Sequence, residues 1–75
     1  MAKKKVLIDL RGTPCPLNWA RAKAALSDMR RGQILEIRVD DPKARDDIPR
    51  AAEMEGHHLV ELRESGESWR IVLEK

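Results

Sequence analysis

Cysteine occurs once in these 75 residues, and phenylalanine and tyrosine do not occur at all. One thiol cannot form an internal disulfide, so nothing points to a secreted scaffold stapled by cross-links. With two tryptophans as its only aromatics, a chain this short has little bulk to enlarge its core, which argues against a large internal pocket. The scarcity of stacking aromatics also argues against an RNA-binding domain. Long hydrophobic runs are missing as well. Lysines 3–5 lead into the stretch from Val6 to Arg11, which contains Asp9 and is far too short for a signal peptide or a membrane span. Nor is one sign of charge in large excess: Lys+Arg number 15 and Asp+Glu 13, giving +2. The pI of 9.0 therefore reflects a small surplus, not a strongly basic protein. These absences lead us to expect one cytoplasmic domain over residues 1–75, with residues 1–4 as a flexible basic tail and no membrane contact.

What is present is a regular alternation of patterns without repeats, low-complexity tracts or linkers. Lys5 to Leu10 alternates, with Val6, Ile8 and Leu10 on one side, and predicts a first strand. From Pro16 a helical stripe of Trp19, Ala22, Leu26 and Met29, with Ala25 beside it, predicts a helix that stops at Gly32 after two C-terminal cations, Arg30 and Arg31. Gln33 to Val39 reads as a second strand, broken at Asp40-Asp41-Pro42. A second helix is expected from Asp46 or Asp47 to Glu55, with Asp46 as its cap and Pro49 in its first turn. His58 to Glu64 and Trp69 to Glu74 form a hairpin around Ser65-Gly66-Glu67. The order is βαβαββ, an α+β fold.

Asp9, Glu36, Arg38, Glu61, Arg63 and Arg70 give the strands one polar face, so both helices are expected on the other face of a four-stranded mixed sheet. The first two strands, joined through a helix, should be parallel, and the hairpin antiparallel. Leu7, Ile34, Leu59 and Val72 fall on the polar face. They read as scattered exposed aliphatics or a weak self-association patch.

The lone thiol stands in Gly12-Thr13-Pro14-Cys15-Pro16. Pro16 suits the first helical position, where a backbone N–H would lack a partner, and it pushes Cys15 toward the extended geometry of an N-cap. On that count the N–H groups of Leu17 and Asn18 reach the sulfur, and the helix dipole further favours the thiolate. Pro14 and Trp19 would sit at hydrophobic-staple positions. Gly12 would supply a turn conformation open to few other residues. The opposing reading of Cys15 is a small buried hydrophobe, the usual fate of a free cysteine.

Asp9-Leu10-Arg11-Gly12, then Pro14-Cys15-Pro16, then Arg45-Asp46-Asp47-Ile48-Pro49 resemble the TusA-like (SirA-like) sulfurtransferases, small sulfur carriers with a Cys-Pro-x-Pro motif. The resemblance spans nearly the whole chain. It implies a two-layer α/β sandwich and a cysteine that accepts sulfane sulfur as a persulfide. It also implies a sulfur-donor protein, such as a cysteine desulfurase or a rhodanese-like protein, and a downstream acceptor. The pathways associated with the family are tRNA thiolation, molybdenum cofactor supply and sulfur metabolism. One position departs: Asn18 stands where the motif has its second proline, and on the count above it adds an N–H aimed at the sulfur.

Sulfur relay needs neither metal nor cofactor, and the lack of a resolving cysteine argues against a dithiol redox role. His57 and His58 are adjacent, so on a strand they face opposite ways and cannot chelate one metal side by side. Arg11, Arg21 and Arg45 are candidates for partner contact. The expected assembly state is a monomer. A non-catalytic interaction or regulatory module on the same scaffold is the alternative function.

Overall fold

The computed structural model describes residues 5–14 and 17–75. The elements follow in the order β1 (Lys5–Asp9), α1 (Leu17–Asp28), β2 (Ile34–Val39), α2 (Pro42–Met54), β3 (His58–Ser65) and β4 (Ser68–Glu74). The strands form one sheet in the spatial order β1-β2-β4-β3. β1 and β2 are parallel, and β4 is antiparallel to both β2 and β3. The expected α+β arrangement is therefore the one observed, with the last strand inserted between the second and third.

The register carries the apolar alternation across all four strands. Val6, Leu35, Leu73 and Leu59 form one row, and Ile8, Ile37, Ile71 and Leu62 the next. Leu35, Ile37, Ile71 and Leu73 in the central strands are completely buried. From the helices, Ala22, Leu26 and Met29 of the α1 segment and Ala44, Ile48 and Ala52 of α2 complete the core, at the spacings that put residues on one helical face. Trp19, Ala25 and Trp69 lie half-buried at its margin. The opposite face of the sheet is polar.

Four local features differ from the sequence expectations. α2 begins at Pro42, not at Asp46 or Asp47. Asp41 is its N-cap, with Oδ1 accepting from Lys43 N at 2.9 Å, and Pro42 occupies the first turn. The dipeptide that breaks β2 is thus the same one that starts α2, because the geometry proline imposes on its predecessor is that of an N-cap. Asp46 consequently lies within the helix, and Pro49 is a buried interior residue. α1 ends at Asp28, and its closing carbonyls do not rely on Arg30 and Arg31. Lys75 Nζ donates to Ser27 O at 3.4 Å and to Met29 O at 2.6 Å, and a cation there suits the helix dipole.

The register of β3 shifts between Leu59 and Glu61. One extra residue reverses the alternation, so Leu59 turns to the core and Val60 is left exposed. Leu59 is thereby removed from the aliphatics expected on the polar face. The fourth difference concerns the first turn of α1 and bears on the site.

Candidate functional site

Because β1 and β2 are parallel, the segments leaving their C-terminal ends emerge at one edge of the sheet, and each leads into a helix. In open α/β sheets this edge is where ligands bind. The ladder continues past β1 through Leu10 N, which donates to Arg38 O at 2.8 Å. Leu10 is itself buried in the core, so the segment that follows leaves from a fixed point.

Leu10 to Thr13 forms a tight turn closed by Thr13 N donating to Leu10 O at 3.0 Å. Gly12 sits third in it with φ +81°, the positive value a type II turn requires there. No atom of a described residue lies within 4 Å of where a Cβ at Gly12 would stand. Backbone conformation, not crowding, is therefore what calls for glycine. Gly12 N also donates to Asp40 Oδ1 at 3.0 Å, tying this turn to the segment that starts α2.

Asp9 and Arg11 brace the same turn. Asp9 Oδ1 accepts from Arg11 N at 3.1 Å and from Arg11 Nε at 2.9 Å, and Oδ2 accepts from Arg11 Nη2 at 2.6 Å. These bonds to Arg11, the side-chain ones foremost, pull the Asp9 carboxyl from 3.8 down to about 2. The same carboxylate raises the Arg11 pKa. Arg11 is exposed, as a partner-contacting residue must be, but its guanidinium is already engaged.

Cys15 and Pro16 lie outside the described residues, and with them the expected placement of the thiol as an N-cap. The residues on either side are described. Pro14 is exposed, and its carbonyl accepts from Asn18 N at 3.1 Å. This bond spans four residues, the spacing of a helical bond. Asn18 N–H, expected to point at the sulfur, therefore donates to a carbonyl. The expected staple of Pro14 and Trp19 rests on that placement of Cys15 and lies outside the described residues with it.

The side chain of Asn18 is nearly fully buried, at 1% exposure. Its Oδ1 accepts from Trp19 N at 2.7 Å, while Nδ2 has no hydrogen-bond partner among the described residues. An unpaired buried donor costs about 1–3 kcal/mol. This burial was missed in the sequence, although a signal existed: Asn18, Ala22 and Leu26 stand four residues apart, on the stripe that faces the core. Leu17, by contrast, is 47% exposed, an apolar side chain open to solvent two positions after Cys15 in the sequence.

The remaining candidates are placed elsewhere. Arg21 is exposed on α1. Arg45, in α2, pairs through Nε with Asp46 Oδ1 at 3.1 Å, and its guanidinium carbon lies 5.3 Å from the centre of the Trp69 ring. Neither has a hydrogen bond or ion pair with the Leu10–Thr13 turn among the described residues. Beside the turn lies a broad, open hollow of about 600 Å³ lined by Arg11, Arg38, Asp40, Ser65, Glu67 and Ser68. Among the described residues no group of three His, Cys, Asp or Glu side chains could hold a metal ion.

Comparison with known proteins gives a consistent result. The family described as Sulfurtransferase TusA matches residues 6–75. A putative sulfur carrier protein of Thermotoga maritima is 38% identical over 76 aligned positions, covering 97% of this chain and 96% of the relative. One from Archaeoglobus fulgidus is 36% identical over 70, covering 92% and 80%. The crystal structure of a SirA-like protein from Desulfitobacterium hafniense superposes with a TM-score of 0.81 at 26% identity, covering 92% of this chain and 95% of that one.

Proposed function

This chain belongs to the TusA sulfurtransferase family, and on that premise we propose that Cys15 is the residue that carries sulfur, as a persulfide, between a donor protein and an acceptor. Sulfur transfer is the activity of the family, and a carrier of this kind works between a donor and a recipient. The observation that supports Cys15 is compositional: it is the only thiol in the chain, and it lies in the segment between the braced Leu10–Thr13 turn and the first helical bond at Asn18.

The Cys15 thiolate attacks the outer sulfur of a donor persulfide. A new S–S bond forms at Cys15 as the donor's own S–S bond breaks, and the donor leaves as a thiolate. A nucleophile on the acceptor then takes the outer sulfur and returns Cys15 to a thiolate. Each step conserves electrons, since a sulfane sulfur moves from one thiolate to another.

In this reading Pro14, Pro16 and Gly12 shape the cysteine segment, and the helix dipole favours the thiolate. The exposed Leu17 gives the docking partner an apolar contact beside the sulfur. Asn18 supports the first turn from inside, in place of the motif's second proline. Among the described residues no helix is long and apolar enough to cross a membrane, and a cytoplasmic setting, where thiols stay reduced, suits the chemistry. The acceptor we favour lies in tRNA thiolation, cofactor assembly or sulfur metabolism, the roles implied by the family.

Incubation with a cysteine desulfurase and cysteine, or with polysulfide, followed by intact mass measurement, tests the proposal. A gain of one sulfur atom that disappears in Cys15→Ser is expected. Absence of an adduct under conditions that load an established carrier would refute it and leave an interaction module as the better reading.

A further inference from the structure

The open face of the sheet carries a feature that sulfur relay does not use. Arg38 of β2 lies opposite Arg70 of β4, and Arg70 lies opposite Arg63 of β3. Three arginines thus stand side by side across three adjacent strands, on the face turned away from the helices. Like charges directly opposite one another destabilise a sheet, and the local counter-charge is insufficient. Glu61 Oε1 serves two of them, accepting from Arg70 Nη2 at 2.9 Å and pairing with Arg63 Nε at 3.3 Å. Arg38 makes no side-chain hydrogen bond or ion pair with a described residue.

Two nearby carboxylates are held chiefly by other cations. Asp9, next in the row across from Arg38, is held by Arg11. Glu36, nearly buried in the adjacent row, is paired with Lys5 at 2.7 Å. The Nε of Arg70 is buried without a partner among the described residues. Among the described residues Glu61 is thus the one carboxylate paired directly with the three guanidinium groups the fold has placed in register, with weaker attraction reaching Arg70 from Glu36 and Arg38 from Asp9.

These side chains also enclose a space. Arg38, Arg63, Arg70 and Ser65 line a hollow of about 150 Å³, next to the β3–β4 turn in which Ser68 Oγ donates to Ser65 O at 3.0 Å. We propose that this row is a binding site for a tetrahedral oxyanion of the phosphate or sulfate type. Three guanidinium forks and a hydroxyl offer more donors than the two oxygens of a carboxylate can accept, whereas a tetrahedral oxyanion presents three or four. Such an anion supplies the charge the row lacks. The proposal is independent of Cys15.

Arginine Nε–Hε NMR spectra of the full chain, titrated with sodium phosphate and sodium sulfate against sodium chloride at matched ionic strength, provide the test. Saturable shifts of Arg38, Arg63 and Arg70 beyond the chloride baseline are expected. Arg38→Gln should weaken the apparent affinity roughly tenfold or more, whereas Arg31→Gln, an equal loss of charge on the exposed surface, should leave it unchanged. Arg63→Gln, at an exposed edge-strand position, serves as a second variant should Arg38→Gln not fold.

A parallel titration with a single-stranded oligonucleotide separates the sources of the oxyanion. Tighter, steeply salt-dependent binding lost in Arg38→Gln assigns the site to a phosphodiester chain. Saturation by phosphate with no gain from the oligonucleotide assigns it to a free anion. Shifts no larger than those caused by chloride in both arms, or shifts equally reduced by Arg31→Gln, would overturn the proposal.

Discussion

Replacing Gly12 tests how the cysteine segment is held. At φ +81° an L-residue costs about 1–2 kcal/mol. The added methyl group meets no described residue, because none has an atom within 4 Å of the would-be Cβ. Alanine also restricts the unfolded chain, which offsets part of the cost, about 0.4–1 kcal/mol. Gly12→Ala is therefore expected to destabilise by about 1 kcal/mol, or roughly 4–8 °C in Tm for a domain of this size. Asparagine tolerates the left-handed region, so Gly12→Asn should cost less than Gly12→Ala.

Urea unfolding followed by tryptophan fluorescence reads both variants, since Trp19 and Trp69 flank the core. The hydrogen bonds from Thr13 N to Leu10 O and from Gly12 N to Asp40 depend on the same turn. Gly12→Ala should accordingly slow persulfide loading in addition to lowering stability. An alanine variant as stable as the parent, or an asparagine variant less stable than the alanine one, would refute the turn-conformation reasoning.

Two further perturbations follow from the same edge of the sheet. With its pKa lowered to about 2 from 3.8, Asp9 binds its proton more weakly folded than unfolded. Its contribution to stability is complete above the unfolded value and is lost as pH falls toward the folded one. Carbon-13 NMR titration of the Asp9 carboxyl should give a midpoint near 2, and an unshifted midpoint would show that the Arg11 clamp does not persist in solution. Asn18→Pro should leave the thiolate titration of Cys15, followed by ultraviolet absorbance, where it was, because Asn18 N–H is spent on Pro14 O. A clear rise in the thiol pKa of that variant would restore Asn18 as a donor to the sulfur.

Much of the architecture was legible in the sequence because alternation and helical spacing report which face is buried. Val6, Ile8, Leu35, Ile37, Ile71 and Leu73 all turn inward as their period-two pattern implies. Gly12 was recognised through a backbone demand that few other residues meet. Leu59 was misplaced because a bulge reverses alternation without marking the sequence. The α2 start was misplaced because Asp41-Pro42 ends a strand and opens a helix with the same residues, and the strand break was the more obvious signal. The burial of the Asn18 side chain was overlooked because a polar residue on an apolar stripe still follows the stripe.

The sequence by itself determined the element order, the family, and the lone thiol on which the chemistry is proposed to rest, since each is a property of residue identity and spacing along the chain. Only the tertiary structure decided what depends on neighbours distant in sequence. It inserted β4 between β2 and β3, tied Gly12 N–H to the Asp40 carboxylate, and set Arg38, Arg70 and Arg63 in one row. Hydrogen-bond partners and charge compensation are fixed by strand order and register, which no local pattern encodes.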